Sequence, residues 1–384
     1  MTGTFLRIGP QSLPGEIADR WGQAPGMLHV LELQGSRAAY RSSRMGTAGP
    51  GATMHLLPTE VLATGERGPV WQLDRRTWQG TALAGIAPEF TVPHAALDST
   101  GALVMVSMDW FDTSLTVTRR QEGTWLPDAP LQLPGAHYVH DFAIVAPHGD
   151  EPELLVMGLH PLMRTMAGLE WDAQAPSSWL VRERCDDGRT WLFETEPCYA
   201  WHAGLVRRNL DDRGRTATIS IRTPARPVSG VLGTAEAAQT SATGGVREWS
   251  LDLRTGASSF NDVMGLPADF PVELGDRLVL GLASRREGMS PNYTKARAVA
   301  IVDADGGLVL RKHPPGTFGG EFIPVPTDEG IVLAGLVTGP DASELLVLDP
   351  DDLAGAPLAR VEIQAAIPPG LHAAWLPGLE EVPH

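Results

Sequence analysis

Short apolar or alternating runs bounded by Gly, Pro, Asp and Asn recur from one end of the chain to the other. Alternation with a period of two puts one set of side chains against a core and the other in solvent, and a short continuous apolar run fits a strand covered on both faces. Runs of these kinds predict strands over residues 103–108, 115–119, 153–158, 179–183, 190–194, 216–221, 247–253, 277–282, 298–303, 308–312, 330–336 and 344–349. Amphipathic helical stretches of three turns are hard to find. The chain therefore reads as all-β. Several strands pair across turns such as Asp186-Asp187-Gly188 and Asp303-Ala304-Asp305-Gly306-Gly307, where glycine can supply the positive φ that the turn needs. The least strand-like stretches are 158–175 and 225–245, the second small, polar and read as a long loop.

Many short antiparallel strands over a chain of 384 residues must be arranged so that sheet edges are not left open. Two sandwiches or one propeller achieve this. A four-stranded blade takes about 40–50 residues, so this length makes roughly seven blades. No sharp repeat of the WD or kelch type is visible, so the repetition is structural rather than textual. On length and pattern alone both arrangements stay open.

Composition narrows the function. Thirty basic against 46 acidic residues give a formal charge of −16, which repels phosphate backbones and anionic membrane surfaces and makes nucleic acid an improbable partner. Only two cysteines occur, Cys185 and Cys198, too few for a disulfide framework and not in metal-ligand spacing. No secretory signal is visible at the N-terminus, and no apolar run approaches the roughly 20 residues needed to span a bilayer. A cytoplasmic location is the expectation. Lys295 and Lys312 are the only lysines and the other 28 basic residues are arginine, so an arginine carries little functional weight by identity alone.

Eleven histidines are present, and any one taken alone is read as a surface or satisfied core residue. Four of them, His94, His140, His202 and His372, stand at the edges of strand-like runs in similar local settings. Their separations of 46, 62 and 170 residues are close to one blade, one blade with an insertion, and three to four blades. In a propeller, strands at such intervals all begin at the central axis, where four imidazoles can converge. Neutral imidazoles suit Fe(II), Zn, Cu or Ni, so ligand type alone does not fix the metal. On octahedral iron, four protein nitrogens leave two positions for dioxygen and water. His137, three residues before His140, faces the other side of an extended strand and is read as structural or solvent-facing. His29, His55, His148, His160, His313 and His384 receive no role.

The strings around these residues resemble the carotenoid cleavage oxygenase family, which includes apocarotenoid- and stilbene-cleaving dioxygenases, over nearly the whole chain. Gly3-Thr4-Phe5-Leu6-Arg7-Ile8-Gly9-Pro10 looks like the family's entry motif, and Pro25-Gly26-Met27-Leu28-His29 resembles its Gly-Asp-Gly-Met-x-His string. Pro93-His94-Ala95-Ala96-Leu97-Asp98 with Thr100-Gly101 is similar to the motif of the first iron histidine, and His140-Asp141-Phe142 to that of the second. The segments from Glu196 to His202 and from Ile367 to Trp375 resemble those carrying the third and fourth. After His202 the family usually continues with an Asn-containing string, whereas here Ala203-Gly204-Leu205 follows.

The resemblance implies a single seven-bladed propeller domain over residues 1–384, with loops capping its axis and one Fe(II) held by His94, His140, His202 and His372. It also implies carboxylates that orient the ligand imidazoles, at Glu66, Asp269 and Glu321. Asp269 stands where the family carries glutamate, so its shorter side chain must reach its histidine by a water or a shifted backbone. The implied reaction splits a C=C bond of a carotenoid, apocarotenoid, stilbene or phenylpropene into two carbonyls. That is a four-electron oxidation, balanced by full reduction of one dioxygen, and it needs no organic cofactor. Consistently, no Gly-x-Gly-x-x-Gly follows a strand and no Walker lysine motif is present. Rival readings are a non-cleaving isomerisation on the same site and a metal-free propeller that binds a lipophile or a protein. Gly65 replaces the lysine that the stilbene-cleaving branch places before its first glutamate, which weakens a lignostilbene-type assignment. The stretch 159–169 reads either as an apolar lip that collects a lipophilic substrate, with possible peripheral membrane contact, or as packing under a loop. Trp110, Phe111, Tyr138, Tyr199 and Trp201 flank the ligands as candidate tunnel or core aromatics.

Overall fold

The computed structural model describes residues 1–10, 26–45, 52–65, 68–84, 91–109, 113–127, 130–133, 135, 137–165, 168–172, 174–226, 244–284, 292–368 and 370–378. Every regular element among them is a strand. The chain divides into two compact units, the first built from residues 1–84, 274–284 and 293–384 and the second mainly from 85–273.

The second unit contains three antiparallel meanders. Thr91–Leu97, Leu103–Asp109, Ser114–Gln121 and Thr124–Pro127 make one sheet, with the short strand Leu131–Gln132 also paired to Ser114–Gln121. Phe142–Val145, Leu154–Leu159, Ser177–Glu183 and Thr190–Thr195 make the next, and Leu205–Leu210, Thr216–Ala225, Gly245–Asp252 and Ser258–Met264 the third. The strand Leu154–Leu159 explains why many runs read as continuous apolar sequence: all six of its residues are buried. Leu155, Met157 and Leu159 pack with Val104, Val106 and Leu115 of the preceding sheet, while Leu154 and Val156 pack with Ile219, Ile221 and Trp249 of the following one. Successive residues of a strand point to opposite faces, so a sheet covered on both sides needs apolar residues at every position. The outermost strand Thr190–Thr195 has one covered face and alternates accordingly.

In the first unit, Thr53–Leu56, Val61–Thr64, Trp71–Leu73 and Gly80–Ala82 form one meander. A second sheet has the order Arg37–Met45, Gly26–Gln34, Thr2–Pro10, Ala373–Pro377, so the strand at the start of the sequence pairs with one near its end. Phe318–Thr327, Gly330–Thr338, Ser343–Leu348 and Ala359–Ile363 follow one another as neighbours, and Asn292–Val302 joins Phe318–Thr327 through Ala296 and Gly319.

Two local expectations need correction. Residues 158–175 contain a hairpin, Leu162–Thr165 against Gly168–Trp171, whose four-residue strands are too short to show a period. In the turn after Ser177–Glu183, Asp187 rather than Gly188 takes the positive φ, 55°. Gly188 is required there for another reason: a Cβ on it would stand 2.3 Å from the Glu183 carbonyl oxygen. In the second predicted turn Gly306 does adopt φ 83°, and Asp303 Oδ1 accepts from the Asp305 and Gly307 N–H groups. Leu159 and Leu162 are buried core residues, which is packing; the side chains of residues 163–169 lie outside those described.

Candidate metal centre

Three of the four candidate histidines belong to the second unit, one from each of its three meanders. His94 lies in Thr91–Leu97, where Pro93 has no N–H to give the ladder and the register to the neighbouring strand shifts between Thr91 and Ala95. Such an irregularity re-aims the side chains it carries. His140 stands two residues before Phe142–Val145, and His202 three residues before Leu205–Leu210. The three rings meet edge to face, with centroids 5.1 Å apart for His94 and His140, 5.0 Å for His94 and His202, and 5.4 Å for His140 and His202. His94 and His202 each offer a ring nitrogen, and these lie within 4.8 Å of one another.

His202 is fixed from two sides. Thr223 Oγ1 donates to its carbonyl oxygen at 2.7 Å, and its Nδ1–H donates to Asp269 Oδ1 at 2.8 Å. A carboxylate only accepts, so this bond sets the tautomer and leaves the lone pair of the neutral ring on Nε2. Asp269 thus reaches its histidine directly, without a bridging water. Phe270, the next residue, has the left-handed φ of 55°, and its N–H donates to the same Oδ1 at 2.9 Å. Burial pushes the Asp269 carboxyl pKa up, but His202, Arg226 and the Phe270 N–H outweigh it and hold it at about 2.

An aromatic wall stands against His140. Trp201 meets its ring edge-on at 4.4 Å and packs on Tyr199 at 4.5 Å, while the Tyr138 hydroxyl lies 3.3 Å from His140 Nδ1. Arg226 lies over both Tyr199 and Trp201, at 5.9 and 5.8 Å, and reaches Asp269 Oδ2 at 3.7 Å. Asp141 accepts from Phe142 N–H through Oδ1 at 2.7 Å and from Ala203 N–H through Oδ2 at 2.9 Å, and its Oδ1 is 3.7 Å from His94 Nδ1. Asp98, from the string that suggested a ligand motif, serves a turn instead: its Oδ1 accepts from the Thr100 and Ala102 N–H groups.

In the first unit His372 repeats the arrangement of His202. Its Nδ1–H donates to Glu321 Oε1 at 2.9 Å, and the Ala373 N–H donates to Glu321 Oε2 at 2.6 Å. The strand Thr2–Pro10 grips the same segment: Ile8 N–H donates to the His372 carbonyl at 3.0 Å, and Leu371 N–H donates to the Ile8 carbonyl at 2.9 Å. Arg7 is buried below it and donates to the Pro368 carbonyl at 2.8 Å. Burial lowers its pKa to about 10 against the opposing pull of Glu321.

A Cβ on Gly370 would stand 2.3 Å from Arg7 Nε. Gly370→Ala is therefore expected to displace the guanidinium and destabilise the protein by about 1–3 kcal/mol, read as a lower urea midpoint. An unchanged midpoint would show that Arg7 relaxes freely.

Glu66, Trp110 and Phe111 lie outside the described residues. The sequence did not single out Asp141, Arg226 or Arg7 for any role. Asp141 at least had a signal, as the middle residue of His-Asp-Phe, but its partner Ala203 is 62 residues away.

A model of the RPE65 family, retinal pigment epithelial membrane protein, matches residues 50–377. Among solved structures, a point-mutant form of Synechocystis apocarotenoid oxygenase matches with a TM-score of 0.80 and 18% identity, covering 98% of this chain and 93% of that one. Pseudomonas brassicacearum lignostilbene dioxygenase matches with a TM-score of 0.78 and 17% identity, covering 98% and 92%. A chimera of apocarotenoid oxygenase and RPE65 gives 0.81 and 17%, covering 98% and 93%. No curated protein matches the sequence. At these identities the structural likeness shows the fold, the all-β propeller class.

Proposed function

Because the chain belongs to the RPE65 family of carotenoid cleavage oxygenases, we propose that it is a non-heme iron dioxygenase, with one Fe(II) held by His94, His140, His202 and His372. The observation that carries this reading is the gathering of the His94, His140 and His202 rings to centroid separations of 5.0–5.4 Å. The donor set suits the ion: neutral imidazoles bind Fe(II), and the bonds to Asp269 and Glu321 present Nε2 of His202 and His372 as the ligand atoms. Glu66 would do the same for another of the rings. Bound there, Fe(II) would supply the activation of dioxygen towards an electron-rich C=C bond.

The chain's own part is to hold the imidazoles in one tautomer and one orientation and to offer an apolar surface beside them. Trp201, partly buried, supplies such a surface next to His140 and is backed by the core residues Tyr138 and Tyr199. The substrate in this reading is an apocarotenoid, a carotenoid, or a stilbene- or phenylpropene-like alkene, and its products are two carbonyl compounds. Among the described residues no helix is long and apolar enough to cross a membrane.

Anaerobic reconstitution with Fe(II), iron analysis, and an oxygen electrode with a panel of such alkenes test the proposal. The expected result is one iron per chain and one dioxygen consumed per alkene, with paired aldehydes in the mass spectrum. Alkene turnover without oxygen uptake would replace cleavage by isomerisation. A protein that takes up no iron would make it a binding module.

A further inference from the structure

We propose that Asp141 is a positioning residue that holds three ligand-bearing segments, those of His94, His140 and His202, in register with one another. The inference rests on the metal-site reading above. Asp141 follows His140 directly in sequence. Its Oδ1 accepts from Phe142 N–H at 2.7 Å, which fixes the side chain on its own strand. Its Oδ2 accepts from the N–H of Ala203, the residue after His202, at 2.9 Å. That second bond spans 62 residues and ties one meander to the next. His94, from the meander that opens with Thr91–Leu97, has its Nδ1 3.7 Å from Oδ1.

With a fixed donor on each oxygen the carboxylate has no freedom to rotate about its last bond. Its negative charge lies 3.7 Å from the Nδ1 of His94. Asp269 and Glu321 each receive one ring directly and so act on one ligand. Asp141 acts differently, because moving it shifts the backbone at two of the histidines and the electrostatic surroundings of a third. A purely local turn would need only the bond to Phe142 N–H. The long-range bond from the Ala203 N–H, accepted by an Asp141 side chain that is only about one-seventh exposed, is what a local role leaves unexplained.

Asn has the same shape as Asp but only one acceptor oxygen, so it can keep one of the two backbone bonds and must turn an NH2 group towards the other donor. The test compares wild type and Asp141→Asn, loaded with Co(II) as a spectroscopic probe and challenged with a chelator, alongside urea unfolding of the metal-free proteins. The expected result is metal release about 10–100-fold faster in the variant with a shifted visible Co(II) spectrum, and a metal-free unfolding midpoint close to wild type.

Equal release rates and spectra would overturn the proposal, as would a loss confined to the unfolding midpoint. A second measurement on the metal-free wild type does not depend on the variant folding: the Ala203 amide is expected to exchange its hydrogen slowly, because its bond to Asp141 precedes any metal. Exchange at the rate of an open loop would overturn the inference. A wild type that takes up no Co(II) would instead sink the metal-site reading and this inference with it, whereas uptake by the wild type with an indifferent variant sinks this inference alone.

Discussion

His202→Ala is expected to leave a folded protein that binds iron at least about 100-fold more weakly than wild type. Losing a partner that merely orients a ligand already costs about 10–100-fold, and this change removes the ligand itself. Its neighbours show why the fold should survive. The buried Asp269 carboxylate keeps the Phe270 N–H and the Arg226 guanidinium, and Thr223 bonds the backbone of residue 202 rather than its ring. The cost to stability is that of an incompletely satisfied buried acceptor, about 1–3 kcal/mol. Iron content after anaerobic loading, set beside the urea midpoint of the metal-free variant, separates the two effects. If the variant holds iron as tightly as wild type, His202 is not a ligand and the centre must be reassigned.

The second large effect is acid sensitivity, and it arises at histidines other than the four candidate ligands. His29, His160 and His313 are buried, and burial lowers their pKa values to about 3, about 4 and about 4 respectively. The positive charge of Arg7 adds to the shift at His29, and that of Arg311 to the shift at His313, while backbone contacts oppose it at His160. In the unfolded chain each ring takes up a proton near pH 6.5, whereas in the folded chain it does so only near its depressed value. The unfolded state therefore binds more protons in between, and stability falls as pH is lowered from about 6.5 towards 4.

The slope is about 1.4 kcal/mol per pH unit for each histidine, or about 3 kcal/mol apiece over the window. The combined loss approaches the whole stability of an ordinary protein. Urea midpoints measured from pH 7 to pH 4 should drop steeply. His313, stacked on Phe322 and without a hydrogen-bond partner on either ring nitrogen among the described residues, offers the cleanest control. His313→Leu is expected to flatten the slope by about one proton's worth. A profile that stays level down to pH 4.5 would show that these rings titrate with relaxation of the fold around them.

The strand runs were legible because sheets packed on both sides impose apolar residues at every position, as Leu154–Leu159 shows with all six residues buried. The hairpin Leu162–Thr165 with Gly168–Trp171 was not, because four residues are too few for a period to emerge. The turn holds two permissive residues, Asp187 and Gly188, and identity alone does not tell which takes the positive φ. At the candidate centre the histidines and the carboxylates Asp269 and Glu321 were readable from motif strings. Asp141, Arg226 and Arg7 act through partners remote in sequence, on Ala203, Asp269 and Pro368, and no local pattern marks such pairs. The direct 2.8 Å bond from His202 to Asp269 joins positions 67 residues apart, a closeness that side-chain identity does not encode.

The pairing of Thr2–Pro10 with Ala373–Pro377 has a kinetic corollary. During synthesis the leading strand finds its hairpin neighbour early, but its other edge waits for a partner that the ribosome releases some 360 residues later; the Arg7–Pro368 contact spans 361 positions. Closing a loop of that size is entropically slow, so this seam should zip last, and pulse-labelled hydrogen exchange would find its amides protected after all others. His372 lies on the seam. Newly made chains should accordingly pass through a nearly complete form that still lacks one of its four proposed ligands, and metal delivery would be timed by the end of folding rather than its beginning.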